Sequence, residues 1–178
     1  MQFKLLTAVT TFLAASSVQA VISPSDITGT LVKVTDLSSE TNDIAKTINT
    51  PFQIFTAAPR LINSFKNIVT TVTEAITMLG DLDNDTDFPK SGQNEICDTF
   101  TNFVKVHQNL LETIIGKHGL LSSTPFTAPI AAILRVLENV VDKVALIIIS
   151  KVPTCADGAK EDLKDLDNTL GRTIEIYS

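Results

Sequence analysis

Apolar residues recur every three or four positions along nearly the whole chain, and strict alternation is almost absent, so the pattern predicts helices rather than strands. From Ser25 or Asp26 the positions Ile27, Leu31, Val34, Leu37, Ile44 and Ile48 form one series, with Thr41 filling its gap. Thr50-Pro51 ends it, because the residue before a proline is biased away from helical geometry. The segment PFQIFTAAP, from Pro51 to Pro59, is short, apolar and bounded by prolines, and predicts a connection holding about one helical turn. A second helix is expected from Pro59 through Leu61, Ile62, Phe65, Ile68, Val69, Val72, Ile76 and Leu79, stopping at Gly80. A third covers Gln93 to Lys117, with Ile96, Phe100, Phe103, Val104, His107, Leu110, Leu111 and Ile114 on its inner face. Residues Gly119 to Pro129 form the next connection, Ile130 to Ser150 a fourth helix, and Asp157 to Ile176 a fifth, with Leu163, Leu166, Leu170 and Ile174 as its narrow apolar stripe.

The fourth helix departs from the others. On a wheel of about 100° per residue, Arg135, Glu138, Asn139, Asp142 and Lys143 gather into one polar stripe, and almost everything else is Val, Ile, Leu or Ala. The stripe fails at Leu146 and Ile149, which fall on its polar side. The segment is too charged to span a membrane and too apolar for an ordinary surface helix, so its last turns predict either deep burial or contact with something apolar outside the core. Five helices with short connections predict an all-α, antiparallel bundle, a regular setting for an internal apolar cavity. In such a bundle the start of the third helix and the end of the fourth share one end, which brings Cys97 and Cys155 together.

The first twenty residues, MQFKLLTAVTTFLAASSVQA, combine an early Lys4, an uncharged apolar stretch and small residues at Val18 and Ala20, the pattern of a secretory signal peptide. The mature chain is then expected to begin near Val21 and to form one domain over 21–178. Export to an oxidising compartment makes a single Cys97–Cys155 disulfide the expected state, with two free buried thiols as the alternative. With 14 basic and 20 acidic residues and a net charge of −6, the chain has no cationic track for phosphates, which excludes nucleic acid as a ligand class and disfavours electrostatic attachment to anionic bilayers. Aromatic residues make up only 6% and Trp is absent, which suits aliphatic packing better than a sugar site built on stacked rings.

Catalytic signatures are missing. No GxSxG, GxxxxGKS/T or HExxH motif occurs, and His107 and His118 do not have the one-face spacing of a helical metal pair. His107 falls on an apolar face, where a hydrogen-bonded core residue is expected ahead of a ligand-facing one; His118, before Gly119, suits the dipole at a helix C-terminus. Asp81, Asp83, Asp85 and Asp87 alternate like the start of a calcium loop, but neither possible register supplies the glycine and the bidentate glutamate that the loop needs. A solvated loop with Asn84-Asp85-Thr86 as an N-glycosylation acceptor fits better. No cofactor or metal is expected. What stands out is apolar helix surface, and the candidate lining of an apolar site is Phe65, Ile68, Val72, Phe100, Phe103, His107, Leu137, Val141, Leu146 and Ile149 on the second to fourth helices. Each of these residues has core packing as its competing role.

The Pro-interrupted break INTPFQIFTAAPRLINSF, the aliphatic ILRVLENVVDKVALII and the succession of amphipathic helices rich in Thr, Ala, Val, Ile and Asp resemble the fungal hydrophobic surface-binding protein A family, which also takes in cell-wall galactomannoproteins. The resemblance spans Ile27 to Ile174. It implies adsorption to hydrophobic solids with recruitment of a polyester hydrolase such as cutinase, or carriage of fatty acids in the cavity of a helical bundle. It transfers no individual binding residue. The chain ends in RTIEIYS, without a Ser/Thr-rich stalk or an apolar tail, which favours a freely secreted form over wall attachment. The expectation is therefore a secreted, non-enzymatic protein that binds hydrophobic surfaces or lipids. Its rival is a cell-wall mannoprotein or host-interaction protein acting through an exposed apolar patch, with an enzyme third.

Overall fold

The computed structural model describes residues 22–80 and 88–178. These form five helices, α1 (Pro24–Lys46), α2 (Pro51–Gly80), α3 (Lys90–Leu121), α4 (Thr127–Ser150) and α5 (Ala156–Tyr177), with no strand among the described residues. The proposed signal peptide and the Asp81–Asp87 segment with Asn84 lie outside the described residues.

Helix α1 opens with Pro24 in its first turn, and the Asp26 carboxylate accepts from the Ser23 backbone N–H at 2.8 Å and the Ser23 hydroxyl at 2.6 Å, one half of a capping box. These two bonds, the hydroxyl first, hold the Asp26 carboxyl below its ordinary pKa.

Helix α2 corrects the expected connection between Pro51 and Pro59, because Pro51 starts the helix and Pro59 sits inside it. The reason is the apolar spacing, which runs unbroken through Ile54, Ala57, Ala58, Leu61, Phe65, Ile68, Val72, Ala75 and Leu79, all buried. Pro59 and Phe55, the residue four back whose carbonyl loses its N–H partner, are both exposed, so the freed oxygen is on the side of water. Burial of the opposite face outweighs that local cost, and the helix continues.

Consecutive helices alternate in direction, as the short connections require. Their spatial order is a ring, α1–α3–α5–α4–α2 and back to α1, in which α2 and α3 barely touch although they follow each other in the chain. The ring makes α1 and α3 parallel neighbours: Ser38 meets His107, and Asn49 accepts from Lys117, at separations of 69 and 68 positions. Helices α3 and α5 are parallel as well, tied by Thr101 to Asp162, Gln108 to Thr169 and Glu112 to Arg172, all 60 or 61 positions apart. At the upper end, where α1, α3 and α5 begin and α2 and α4 finish, the Cys97–Cys155 disulfide joins α3 to the start of α5. Beside it the Gln93 side-chain oxygen accepts from the Thr154 N–H at 3.0 Å and hydroxyl at 2.8 Å, while its amide donates to the Phe88 carbonyl at 2.8 Å. Gly92 lets α1 approach this corner, since a Cβ there would lie 2.7 Å from Cγ of Pro24. No helix among the described residues is long and apolar enough to cross a membrane.

A candidate apolar ligand site

An apolar cavity lies inside the upper end of the ring. Ile27, Thr30, Leu31 and Val34 of α1, Val72, Ala75 and Leu79 of α2, Phe103 of α3, and Val144 and Ile148 of α4 line it. These helices bring mostly short or branched aliphatic side chains to the centre of a five-membered ring, where they do not meet across the middle. Thr30 presents no free hydroxyl, because its Oγ1 donates to the Asp26 carbonyl at 2.9 Å. The space unoccupied by atoms is about 330 Å³, part of it continuous with solvent, but only about 20 Å³ is free to the centre of a water-sized sphere. That is little more than one water's worth, roughly 10–15 Å³ on the same measure. In this form the site is a narrow apolar seam between helices, closed by its own lining side chains.

One helical turn below the cavity is a layer of buried polar groups. Ser38 follows Val34 on α1 and His107 follows Phe103 on α3, each by four positions, and the Phe103 and His107 rings are 5.4 Å apart. His107 is fully buried, with its Nδ1 2.8 Å from the Ser38 hydroxyl oxygen. That hydroxyl lies 2.8 Å from the Val34 carbonyl, an oxygen–oxygen distance that requires the serine proton between them. Ser38 therefore accepts from His107 Nδ1–H, and Nε2 is left as an unprotonated acceptor with no partner. Burial alone drives the imidazole pKa down to about 4, so the ring is neutral at physiological pH. Thr41 and Ser64 bond each other at 2.6 Å nearby in sequence on α1 and across on α2, and Asn42 Oδ1 is a second buried acceptor without a partner.

A separate polar contact joins α4 and α5. Burial, then a hydrogen bond to Asp142 and the charges of Asp142 and Glu138, push the Asp167 carboxyl up to about 7. Among the described residues no group of His, Cys, Asp and Glu is placed to hold a metal ion.

Of the residues expected from sequence, Val72 and Phe103 line the cavity. Phe65, Ile68, Phe100, His107, Leu137 and Val141 are buried in the continuous core around and below it. Leu146 and Ile149 separate: Leu146 is 60% exposed and Ile149 is buried. The two are about 60° apart on the wheel, so they straddle the edge of the buried arc. The expected site on the second to fourth helices is shifted toward α1, which supplies four lining residues, while α3 supplies Phe103 alone. Ile27, Leu31 and Val34 of α1, with Ala75, Leu79, Val144 and Ile148, are apolar positions in the sequence, whereas Thr30 is not, and nothing in the spacing separates these residues from ordinary core. His118 packs edge-on against Tyr177 at 5.0 Å, near the C-terminus of α3. At the opposite end of the ring Phe52 and Phe55 are 86% and 64% exposed, with Phe126 edge-on to Phe55 at 6.1 Å.

No protein-family profile matches the chain, and no curated protein sequence does either. The fold, however, is shared with solved structures. Ligand-binding domain 1 of the Penicillium marneffei MP1 protein, complexed with arachidonic acids, superimposes with a TM-score of 0.77 at 16% identity, over 87% of this chain and 99% of that one. AfMP4p in complex with palmitic acid gives 0.68 at 12% identity, over the same shares of the two chains. At these identities the likeness establishes a common helical architecture.

Proposed function

We propose that this protein is a secreted, non-enzymatic binder of long-chain fatty acids or similar single-chain lipids, which it takes up inside the upper end of the helical ring. The observation that carries this reading is the apolar cavity between α1, α2, α4 and Phe103, closed by side chains that make no hydrogen bonds across it. An apolar seam with little free space suits a flexible chain that replaces aliphatic contacts with its own, methylene by methylene, at about 0.8 kcal/mol for each one withdrawn from water. Two proteins of the same architecture were solved with fatty acids bound, which supports the same ligand class here. Secretion rests on the N-terminal sequence pattern, and the disulfide fits an oxidising compartment. Native mass spectrometry of protein purified under mild conditions tests the reading. The expected result is a co-purifying fatty acid that delipidation removes and added palmitic acid restores. A protein that stays empty and does not displace a bound fluorescent fatty acid overturns it.

A second reading is favoured by Phe52 and Phe55. Two exposed rings beside a helix start are a compact adhesive patch, and they support adsorption to hydrophobic solids through the lower end. Depletion onto hydrophobic beads that disappears in Phe52→Ser/Phe55→Ser, with lipid uptake unchanged, is the outcome expected of that reading. Undiminished depletion rejects it.

A further inference from the structure

We propose that His107 is the polar terminus of the lipid site, accepting through Nε2 a hydrogen bond from the hydroxyl of a long-chain alcohol or an un-ionised carboxylic acid. The inference rests on the lipid-binding reading and adds to it the chemistry of the head group. Its geometry comes from two adjacent layers. Val34 and Phe103 line the cavity, and Ser38 and His107 lie one turn further along the same two parallel helices. The Phe103 ring both lines the cavity and lies 5.4 Å from the imidazole, and the proposal places the ligand's path to Nε2 past that ring. The serine fixes the tautomer, since its own proton is committed to the Val34 carbonyl and Nδ1 must carry the imidazole proton. What Nε2 offers is thus an acceptor, and Asn42 Oδ1, one turn below Ser38, is another. An ionised carboxylate would add further acceptors to a buried place that already has an excess, whereas an O–H donor satisfies one that folding leaves bare. The cations carried by the helices around this layer point outward: Lys33 and Lys46 of α1, Lys66 of α2 and Lys105 of α3 are exposed, and Arg172 of α5 pairs with Glu112.

The test compares 1-hexadecanol with hexadecyl methyl ether, which keeps the oxygen and the chain but has no donor, as displacers of a fluorescent fatty acid. The alcohol is expected to displace at a concentration roughly three- to tenfold lower, the worth of one net hydrogen bond. In His107→Leu the two ligands become equal. Because a core substitution can fail to fold, the wild-type protein also carries a direct readout: the ¹⁵N resonance of His107 Nε2 moves upfield when the alcohol binds and stays in place with the ether. Equal displacement by both ligands with an unmoved Nε2 resonance overturns the role of His107 and leaves lipid binding standing. If the fluorescent fatty acid never binds, both readings fall together.

Discussion

The two ends of the ring are built from the same five helices and differ in what fills the middle. At the lower end the Tyr177 hydroxyl of α5 donates to the Ile114 carbonyl of the neighbouring α3 at 2.8 Å, and Ile48, Leu121, Ile130 and Leu134 are completely buried. At the upper end Val72, Ala75, Val144 and other aliphatic residues face a centre they do not close. Covalent stitching is distributed the other way: the disulfide holds the rim of the upper end, beside the Gln93–Thr154 bonds and the Pro24–Gly92 contact, whereas the lower rim is tied by hydrogen bonds such as Lys117 to Asn49 and Arg135 to Ser178. A loosely filled interior needs a firm rim if it is to open for a ligand without unravelling. The lower end is stabilised by its packing, the upper end by its perimeter.

Removing the disulfide is the largest way to break this contrast. Cys97→Ser/Cys155→Ser is expected to lose about 4 kcal/mol, as for a loop of some 58 residues, measured by denaturant unfolding. Amide exchange should speed most at the starts of α3 and α5 and least around Ile114 and Leu121, and uniform acceleration would deny the division into two ends.

Acid comes next, acting on the layer between them. His107 has a native pKa of about 4 against 6.5 unfolded, so as pH falls from 6.5 to 4 the unfolded chain binds a proton that the native one does not. Stability is complete above 6.5 and declines across that window by on the order of 3 kcal/mol. Asp167 has the opposite sign: with a native pKa raised to about 7, it becomes less destabilising as pH drops from 7 toward 3.8. Thermal unfolding of Asp167→Asn should therefore show a steeper loss below pH 6.5 than wild type, and an unchanged profile would remove Asp167 from the account.

Matched alanines on α2 sharpen the comparison further. Ala58 is completely buried toward the lower end, and Ala58→Leu should overpack it at a cost of about 1–3 kcal/mol. Ala75 lines the cavity, and Ala75→Leu should cost clearly less than Ala58→Leu because part of the added volume enters space that no atom occupies. Equal costs at the two sites would mean that the upper end is packed solid. Smallest is Tyr177→Phe, which leaves the Ile114 carbonyl without its side-chain donor at about 1 kcal/mol; unaltered lipid uptake by this variant is expected, since the change is confined to the lower end.

Much of this architecture was legible in the chain, because three-to-four spacing reports directly which positions a helix buries. Five helices and the meeting of Cys97 with Cys155 follow from it. The spacing also contained the answer at Pro59: Ile54, Ala57 and Ala58 continue the series of Leu61 and Phe65, and the proline drew attention away from a face that stays buried. Ring order was not legible. An apolar stripe says that a helix has a partner without saying which, and the parallel contact of α1 with α3 depends on pairs such as Ser38 with His107, nearly seventy positions apart. The cavity was hidden for the same reason, since a short side chain is an ordinary core residue until it is known what it faces. Ile149 and Leu146 illustrate the limit of a wheel, on which two neighbours at the margin of a face look alike although one is core and the other meets solvent.

The most direct measurement of the central claim is the affinity for a fluorescent long-chain fatty acid of the wild type, Ala75→Leu and Ala58→Leu, each confirmed folded at the assay temperature. The account predicts saturable binding by the wild type, retained in Ala58→Leu and lost or strongly weakened in Ala75→Leu. Absence of binding in the wild type, or equal binding in all three, would contradict it.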